Sequence, residues 1–278
     1  MPTIVPLQRA NHGCHFRAYG LRGAAALIDP FIGVDQAWMS APTFPPHPHA
    51  GCSAVSYVFM DSEIGIANRD AVGTVHLIEP GAVHWTVAGS GVVHEELPAQ
   101  WDKTVHSLQI LVKLPPAKRA ASPYAFGLMP QQVPKVQRPG AKVRVVAGGF
   151  GGRRSPADAP TDVDVLDISL DAGTELGVPI APGRSAFILP VFGVVSVDGL
   201  SFGLEDLQAP VYLAEQTERE LRLQARNGPA KLMVFSGTPM RAEAAMDLCP
   251  PPQPMWSHFA TTPARYADIC SSDDEVPE

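Results

Sequence analysis

Histidine is missing from the entire stretch between His106 and His258 of this 278-residue chain, although nine histidines occur in all. A histidine-based metal site must therefore be built from the first half. Basic blocks are missing too: no run exceeds the pairs Lys118-Arg119 and Arg153-Arg154, and the formal net charge is −7. Clustered cations are what hold a phosphate backbone, so direct nucleic-acid binding is not expected. No stretch approaches ~18 consecutive apolar residues, and residues 1–12 hold no apolar core of signal-peptide length, so no membrane segment is expected and the cytoplasm is the expected location. Cysteine is sparse. Cys14, Cys52, Cys249 and Cys270 lie far apart with no CxxC pair, which argues against a disulfide frame or a thiolate zinc site, and they read as thiols without an assigned function. Neither a Ser-His-Asp nor a phosphate-loop pattern is found.

What is present points to strands. The length exceeds the usual single core of roughly 100–150 residues, which favours two domains. The 29 prolines and 24 glycines are spread between short apolar runs, as suits many strands joined by turns. Alternating or apolar segments recur at 53–59, 74–78, 82–88 and 106–114, and again at 142–148, 162–170, 185–197, 209–214, 220–225 and 230–237. A proline-rich stretch at 115–140 separates the two series and reads as a connector. Turns of similar form, EPGAV (79–83) and APGRS (181–185), hint at internal duplication. Residues 240–248 could form a short helix, and the acidic end reads as disordered. The expectation is all-β: an N-terminal domain over 1–134, a C-terminal domain over 135–262 and an acidic tail over 263–278.

The chemistry concentrates in two short motifs. FPPHPHAG (44–51) sets His47 and His49 two apart around Pro48, and the residue before a proline is pushed into extended backbone, so both imidazoles leave one side of the chain. GSGVVHEELP (89–98) repeats the relation with His94 and Glu96 after a glycine turn. Facing each other, the pairs would offer three nitrogens and a carboxylate oxygen with coordination positions left open, a set suited to iron(II), manganese, nickel or copper. A lone HxH pair usually carries no ligand role, and a carboxylate beside a strand-end histidine is ordinary. The combination is what carries weight. Of the other histidines, His84 alternates with Trp85, so one of the two faces a barrel interior, while His76 and His106 read as satisfied strand residues. His12, Cys14 and His15 form a cluster that reads as a flexible N-terminal stretch.

The chain resembles the pirin family over roughly residues 29–116. The segment 29–51 is similar to the family's Asp-Pro-Phe opening and Pro-His-Pro-His motif, NRDAVG (68–73) to its Arg-Asp segment, 79–98 to its Pro-Gly, Gln-Trp and Ala-Gly-x-Gly-x-x-His-x-Glu series, and LQILVKLPP (108–116) to its closing strand. The second half resembles a pirin C-terminal domain loosely. The resemblance implies a bicupin of two β-barrels (double-stranded β-helices), with metal on His47, His49, His94 and Glu96 in the first barrel and none in the second. Iron(II) is the ion it implies first, with Mn, Ni, Cu, Co or Zn as alternatives. It also implies one of two functions. One is a quercetin 2,3-dioxygenase-like oxidoreductase acting on a flavonol or related enediol, with Glu96 as the catalytic proton acceptor. The other is a non-catalytic, metal-dependent regulatory protein that binds another protein. A small-molecule substrate and a protein partner are both compatible with it, and a metal-free scaffold is the least favoured reading. Where the family commonly has Arg, Gly, Phe and Glu after the second ligand histidine, the chain has Ala50, Gly51, Cys52 and Ser53; it departs further at Asn68 in place of a usual His, at His84 in place of Gln, and at Leu111 in place of a frequent Trp. These changes imply a relined pocket around a retained ligand set.

Overall fold

A computed structural model describes residues 1–240. The helix expected at 240–248, the acidic tail, His258, Cys249 and Cys270 lie outside the described residues. Within them the chain is all-β, interrupted by two single-turn 3-10 helices at Pro116–Lys118 and Leu204–Asp206. Among the described residues no helix is long and apolar enough to cross a membrane. Two copies of one architecture are present, each a seven-stranded sheet curled against a four-stranded one. The bicupin fold is thereby borne out.

In the first barrel the large sheet runs Tyr124–Leu128, Val83–Val87, Cys52–Val58, Val105–Lys113, Phe31–Met39, Phe16–Leu21 and Gln8–His12. The small sheet runs His47–His49, Val92–Pro98, Ile66–Asp70 and Val75–Ile78. In the second barrel the large sheet runs Thr3–Pro6, Gln208–Tyr212, Ser185–Phe192, Ala230–Gly237, Val163–Leu170, Ala141–Ala147 and Lys135–Arg138. Its small sheet holds Glu175–Ile180, Arg219–Gln224, Val194–Val197 and Leu200–Gly203.

Three features depart from the sequence reading. The stretch expected as a connector contains edge strands: Tyr124–Leu128 extends the first large sheet beside Val83–Val87, and Lys135–Arg138 extends the second beside Ala141–Ala147. The prolines of this stretch fall outside the two strands, where no ladder bond is lost. The first strand, Thr3–Pro6, pairs with Gln208–Tyr212 in the second barrel, so the chain's start is tied to its far half. Cys14 is disulfide-bonded, contrary to the expected thiol, whereas Cys52 is buried within its strand.

The two large sheets pack face to face. Tyr57, Trp85, Leu108 and Ile110 of one meet Val165, Phe187, Leu189 and Phe235 of the other in a single apolar cluster. Phe187 stacks on Phe235 at 4.5 Å, and Phe31 meets Phe187 edge-on at 5.3 Å. Burying such side chains stabilises the fold by about 1.5–3 kcal/mol each. Strand residues alternate between faces, so the neighbours of these residues point into the barrels. In the second barrel those neighbours are aliphatic, Val143, Leu166, Ile168, Ile188, Leu223 and Val234 among them, and they fill it as a solid core. In the first they are largely polar.

A polar cluster crosses the interface between the sheets. The Tyr57 hydroxyl donates to Asp167 at 2.7 Å and accepts from Arg144 Nε at 3.1 Å, while Arg144 Nη2 donates to the Gly81 carbonyl at 2.6 Å. All three side chains are buried. Tyr57→Phe removes one hydroxyl yet takes a hydrogen bond from each of two buried ionic groups, so urea unfolding should show a loss of about 1–3 kcal/mol. Nearby, a hydrogen bond with His106, together with the Lys231 charge, holds the Asp61 carboxyl well below its usual range against an opposing push from burial. A carboxyl depressed in the folded state adds stability that is present above its unfolded pKa and is lost as pH falls through the folded one. Asp61→Asn should therefore flatten the acid limb of a stability-against-pH curve while leaving its alkaline limb unchanged.

Candidate metal centre

Register in the small sheet of the first barrel decides which side chains meet. His94 lies opposite His47 on one side and opposite Asp70 on the other, and Glu96 lies opposite Asn68, which in turn lies opposite His76. Directly opposed residues of an antiparallel pair share a face. His47, His49, His94, Glu96, Asp70, Asn68 and His76 therefore project from one side of this sheet, toward the large sheet. From that sheet Ser56, His84 and Gln109 project back, Ser56 lying opposite both of the others.

Backbone contacts tie the two histidine motifs together. Gly51 N–H donates to the Gly89 carbonyl at 2.8 Å and Ala88 N–H to the Cys52 carbonyl at 2.9 Å, fastening the end of the first motif to the turn that launches the second. The turn needs its glycine: Gly89 sits at φ +51°, and a Cβ there would lie 2.1 Å from the Ala121 carbonyl oxygen.

The result is a convergence of imidazoles. His94 Nε2 lies 3.0 Å from His49 Nε2 and 3.1 Å from His47 Nε2, and the ligand nitrogens of all three fall within 4.8 Å of one another. Two nitrogens bound to one ion at ~2.1 Å and at a right angle stand ~3.0 Å apart, so the spacing fits a shared cation. The tautomers agree. His47 Nδ1 lies 3.0 Å from the Pro45 carbonyl oxygen and must be its protonated nitrogen, which leaves Nε2 as a lone pair facing the others. Nε2 of His94 has two such neighbours and can serve only one by a hydrogen bond; the other contact sets lone pair against lone pair, or proton against proton, unless a cation lies between them. Burial first, then His49, His47 and His84, lowers the His94 pKa to about 2, and burial also lowers that of His47. Both are held as the neutral species a metal takes.

Glu96 stands beside this trio and is held by other groups. Ser56 Oγ donates to Glu96 Oε1 at 2.5 Å, and Gln109 Nε2 donates both to Glu96 Oε2 and, at 2.8 Å, to Ser56 Oγ. A carboxylate has about four acceptor sites, so these bonds leave it capacity for a cation. Burial raises its pKa, with the Ser56 and Gln109 bonds opposing. The sequence reading did not single out Ser56 or Gln109. Their signal was a polar side chain at an inward position of an otherwise apolar strand. Of the pair His84 and Trp85, it is His84 that faces inward; its Nε2 lies 3.0 Å from Thr86 Oγ1, and His76 packs on it with ring centres 4.5 Å apart. His106 is satisfied as expected, bonded to Gln36 and Asp61.

Gln109→Leu should cost the metal-free protein about 1.5–3 kcal/mol at neutral pH, the worth of a hydrogen bond to a charged group. The lost donor favours ionised Glu96, so its removal moves the folded pKa further up. The deficit, read from urea unfolding at stepped pH, should shrink as pH falls through the folded pKa of Glu96, which burial holds above the usual carboxylate range.

Known proteins resemble this chain in sequence and in fold. The sequence model of the Pirin family matches residues 17–112. The chain is 32% identical to rat Pirin over 172 residues, covering 62% of this chain and 58% of that protein, so it spans little more than half of that relative's length. It is 30% identical to Pirin-1 of Arabidopsis thaliana over 198 residues, covering 71% of this chain and 67% of the relative. The solved structure of GK1651 from Geobacillus kaustophilus superposes with a TM-score of 0.78 at 26% identity, over 87% of this chain and 97% of that one. A quercetin 2,3-dioxygenase from Acinetobacter baumannii shares the fold with a TM-score of 0.72 at 22% identity, over 86% and 79%. The bacterial pirin YhhW from Escherichia coli, in complex with nickel(II), shares it with a TM-score of 0.65 at 18% identity, over 86% and 100%.

Proposed function

The chain belongs to the pirin family, and on that premise we propose that it holds one transition-metal ion on His47, His49, His94 and Glu96 and acts as a quercetin 2,3-dioxygenase-like oxidoreductase on a flavonol or a related enediol. The observation that carries this reading is the 3.0 and 3.1 Å spacing of the three Nε2 atoms about His94. Iron(II) is the ion we assign; nickel(II), named for the E. coli pirin, suits the same donors. When bound, the ion would supply a Lewis acid at which substrate oxygens and dioxygen can meet. The rest falls to the chain. Three clustered imidazoles would hold the ion between them. Glu96 accepts the proton of the substrate hydroxyl, and Ser56 and Gln109 hold its carboxylate in place for that transfer. The inter-sheet cluster behind Tyr57 and Trp85 closes the far side of the sheet to water.

Elemental analysis of the purified chain followed by an aerobic flavonol screen tests the proposal. His94→Ala should empty the site. Glu96→Gln keeps an oxygen donor and should retain part of the metal, while turnover falls by on the order of 10²–10⁴, the usual worth of a positioned base. Glu95, opposite Arg69 on the outer face, is the control, and Glu95→Gln should change neither property. Metal without turnover in the unaltered chain would assign it to the non-catalytic, protein-binding reading instead. No metal would end both.

A further inference from the structure

Beside the imidazole trio the two sheets of the first barrel are bridged by a closed ring of five polar side chains. Ser56 bonds Glu96 across the barrel. Glu96 neighbours Asn68, and Asn68 neighbours His76, along the small sheet. His76 packs on His84 across the barrel, and His84 neighbours Ser56 along the large sheet. Asn68 and His84 are each only 1% exposed. Yet neither atom of the Asn68 carboxamide has a hydrogen-bond partner, and neither has His84 Nδ1. Leaving such groups unpaired opposes folding, so a fold that buries three in one ring is prepared for a polar guest.

The chemistry of the ring restricts that guest. The carboxamide offers a donor and an acceptor, and a hydroxyl answers both, whereas a carboxylate can only accept and would leave Asn68 Oδ1 stranded. No cation belongs to the ring: Arg69, next to Asn68, alternates to the opposite face, and Arg22 is committed by two hydrogen bonds to Asp35. An anionic group here would be repelled by the Glu96 carboxylate, with no side-chain cation in the ring and only an ion whose charge Glu96 already partly neutralises to offset it.

We propose that Asn68 and His84 form a specificity subsite for an uncharged hydroxyl carried on the same ring system as the ligand's metal-binding oxygens, and that the subsite discriminates against a carboxylate in that place. The inference rests on the metal reading above and adds to it which substituent the ligand carries and which residues read it.

The test uses the full chain loaded with cobalt(II) and three ligands that share one hydroxypyranone head and differ at a single substituent: allomaltol with a methyl, kojic acid with a hydroxymethyl and comenate with a carboxylate. Each is titrated against the cobalt absorption spectrum. Kojic acid should bind on the order of tenfold more tightly than either of the others. Asn68→Leu should bring kojic acid down to the allomaltol level while cobalt stoichiometry stays unchanged. His84→Leu provides an independent second variant, and the ligand series on the unaltered chain needs neither. Equal binding of all three ligands, tightest binding of comenate, or an unchanged kojic acid preference in both variants would overturn the subsite alone. A chain that takes up no cobalt would overturn the metal reading, and the subsite with it.

Discussion

Face-to-face burial of the two large sheets is the constraint on which the chemistry of the first barrel depends. Tyr57, Trp85, Leu108 and Ile110 gain their stabilisation only if they face the second sheet. Ser56, His84 and Gln109, one residue away on the same strands, must then face the barrel interior. A register slip of one residue would exchange the two sets, placing imidazole and carboxamide in an aromatic core and tryptophan in the pocket. The polar lining is thus specified by the apolar residues that alternate with it.

The same architecture serves two purposes in one chain. The second barrel fills its interior with aliphatic side chains and is stabilised by that core. The first leaves a buried glutamate, an unpaired carboxamide and three clustered imidazoles inside, all of which oppose folding in a dry interior. Its compensation lies outside the barrel, in the shared cluster between the sheets and in the Tyr57, Arg144 and Asp167 contacts that cross it. The strand Thr3–Pro6 adds a further tie. The second barrel therefore acts on the site indirectly, as the surface that lets the first barrel keep an unfavourable interior.

Much of this was legible in the sequence, and the limits follow from the strands themselves. Segments with a clean two-residue period, such as 53–59 and 106–114, correspond to Cys52–Val58 and Val105–Lys113. The motif pairs at 47–49 and 94–96 announced themselves because histidine is scarce and the i, i+2 spacing is meaningful only in extended backbone. Glu175–Ile180 and Ile66–Asp70 escaped because their sequences, ELGVPI and IANRD, carry glycine, proline or charge where an edge or a pocket tolerates them. The pairing of Thr3–Pro6 with Gln208–Tyr212 is a long-range contact that no local pattern encodes. Asn68 was visible as a departure from the family pattern, but its significance required the register that sets it opposite both Glu96 and His76.

That register also explains how the imidazole trio can keep its spacing while the residues around it change. The three imidazoles come from two adjacent strands of the small sheet, and their spacing is fixed by the pairing of His94 with His47 and by the Gly51–Gly89 and Ala88–Cys52 backbone bonds. None of those constraints passes through His84 or Leu111, which belong to the facing sheet and are anchored by the inter-sheet core instead. A substitution at either position alters what the ion's ligand would touch without moving a nitrogen. Asn68 is the intermediate case, since it shares a sheet with the ligands but lies one strand beyond His94 and Glu96. It can change the polarity of the pocket beside Glu96 while the trio, held from the other side, keeps its geometry. The imidazole trio and the Asn68–His84 pair are thus held by different constraints within one barrel, and for that reason they can vary separately.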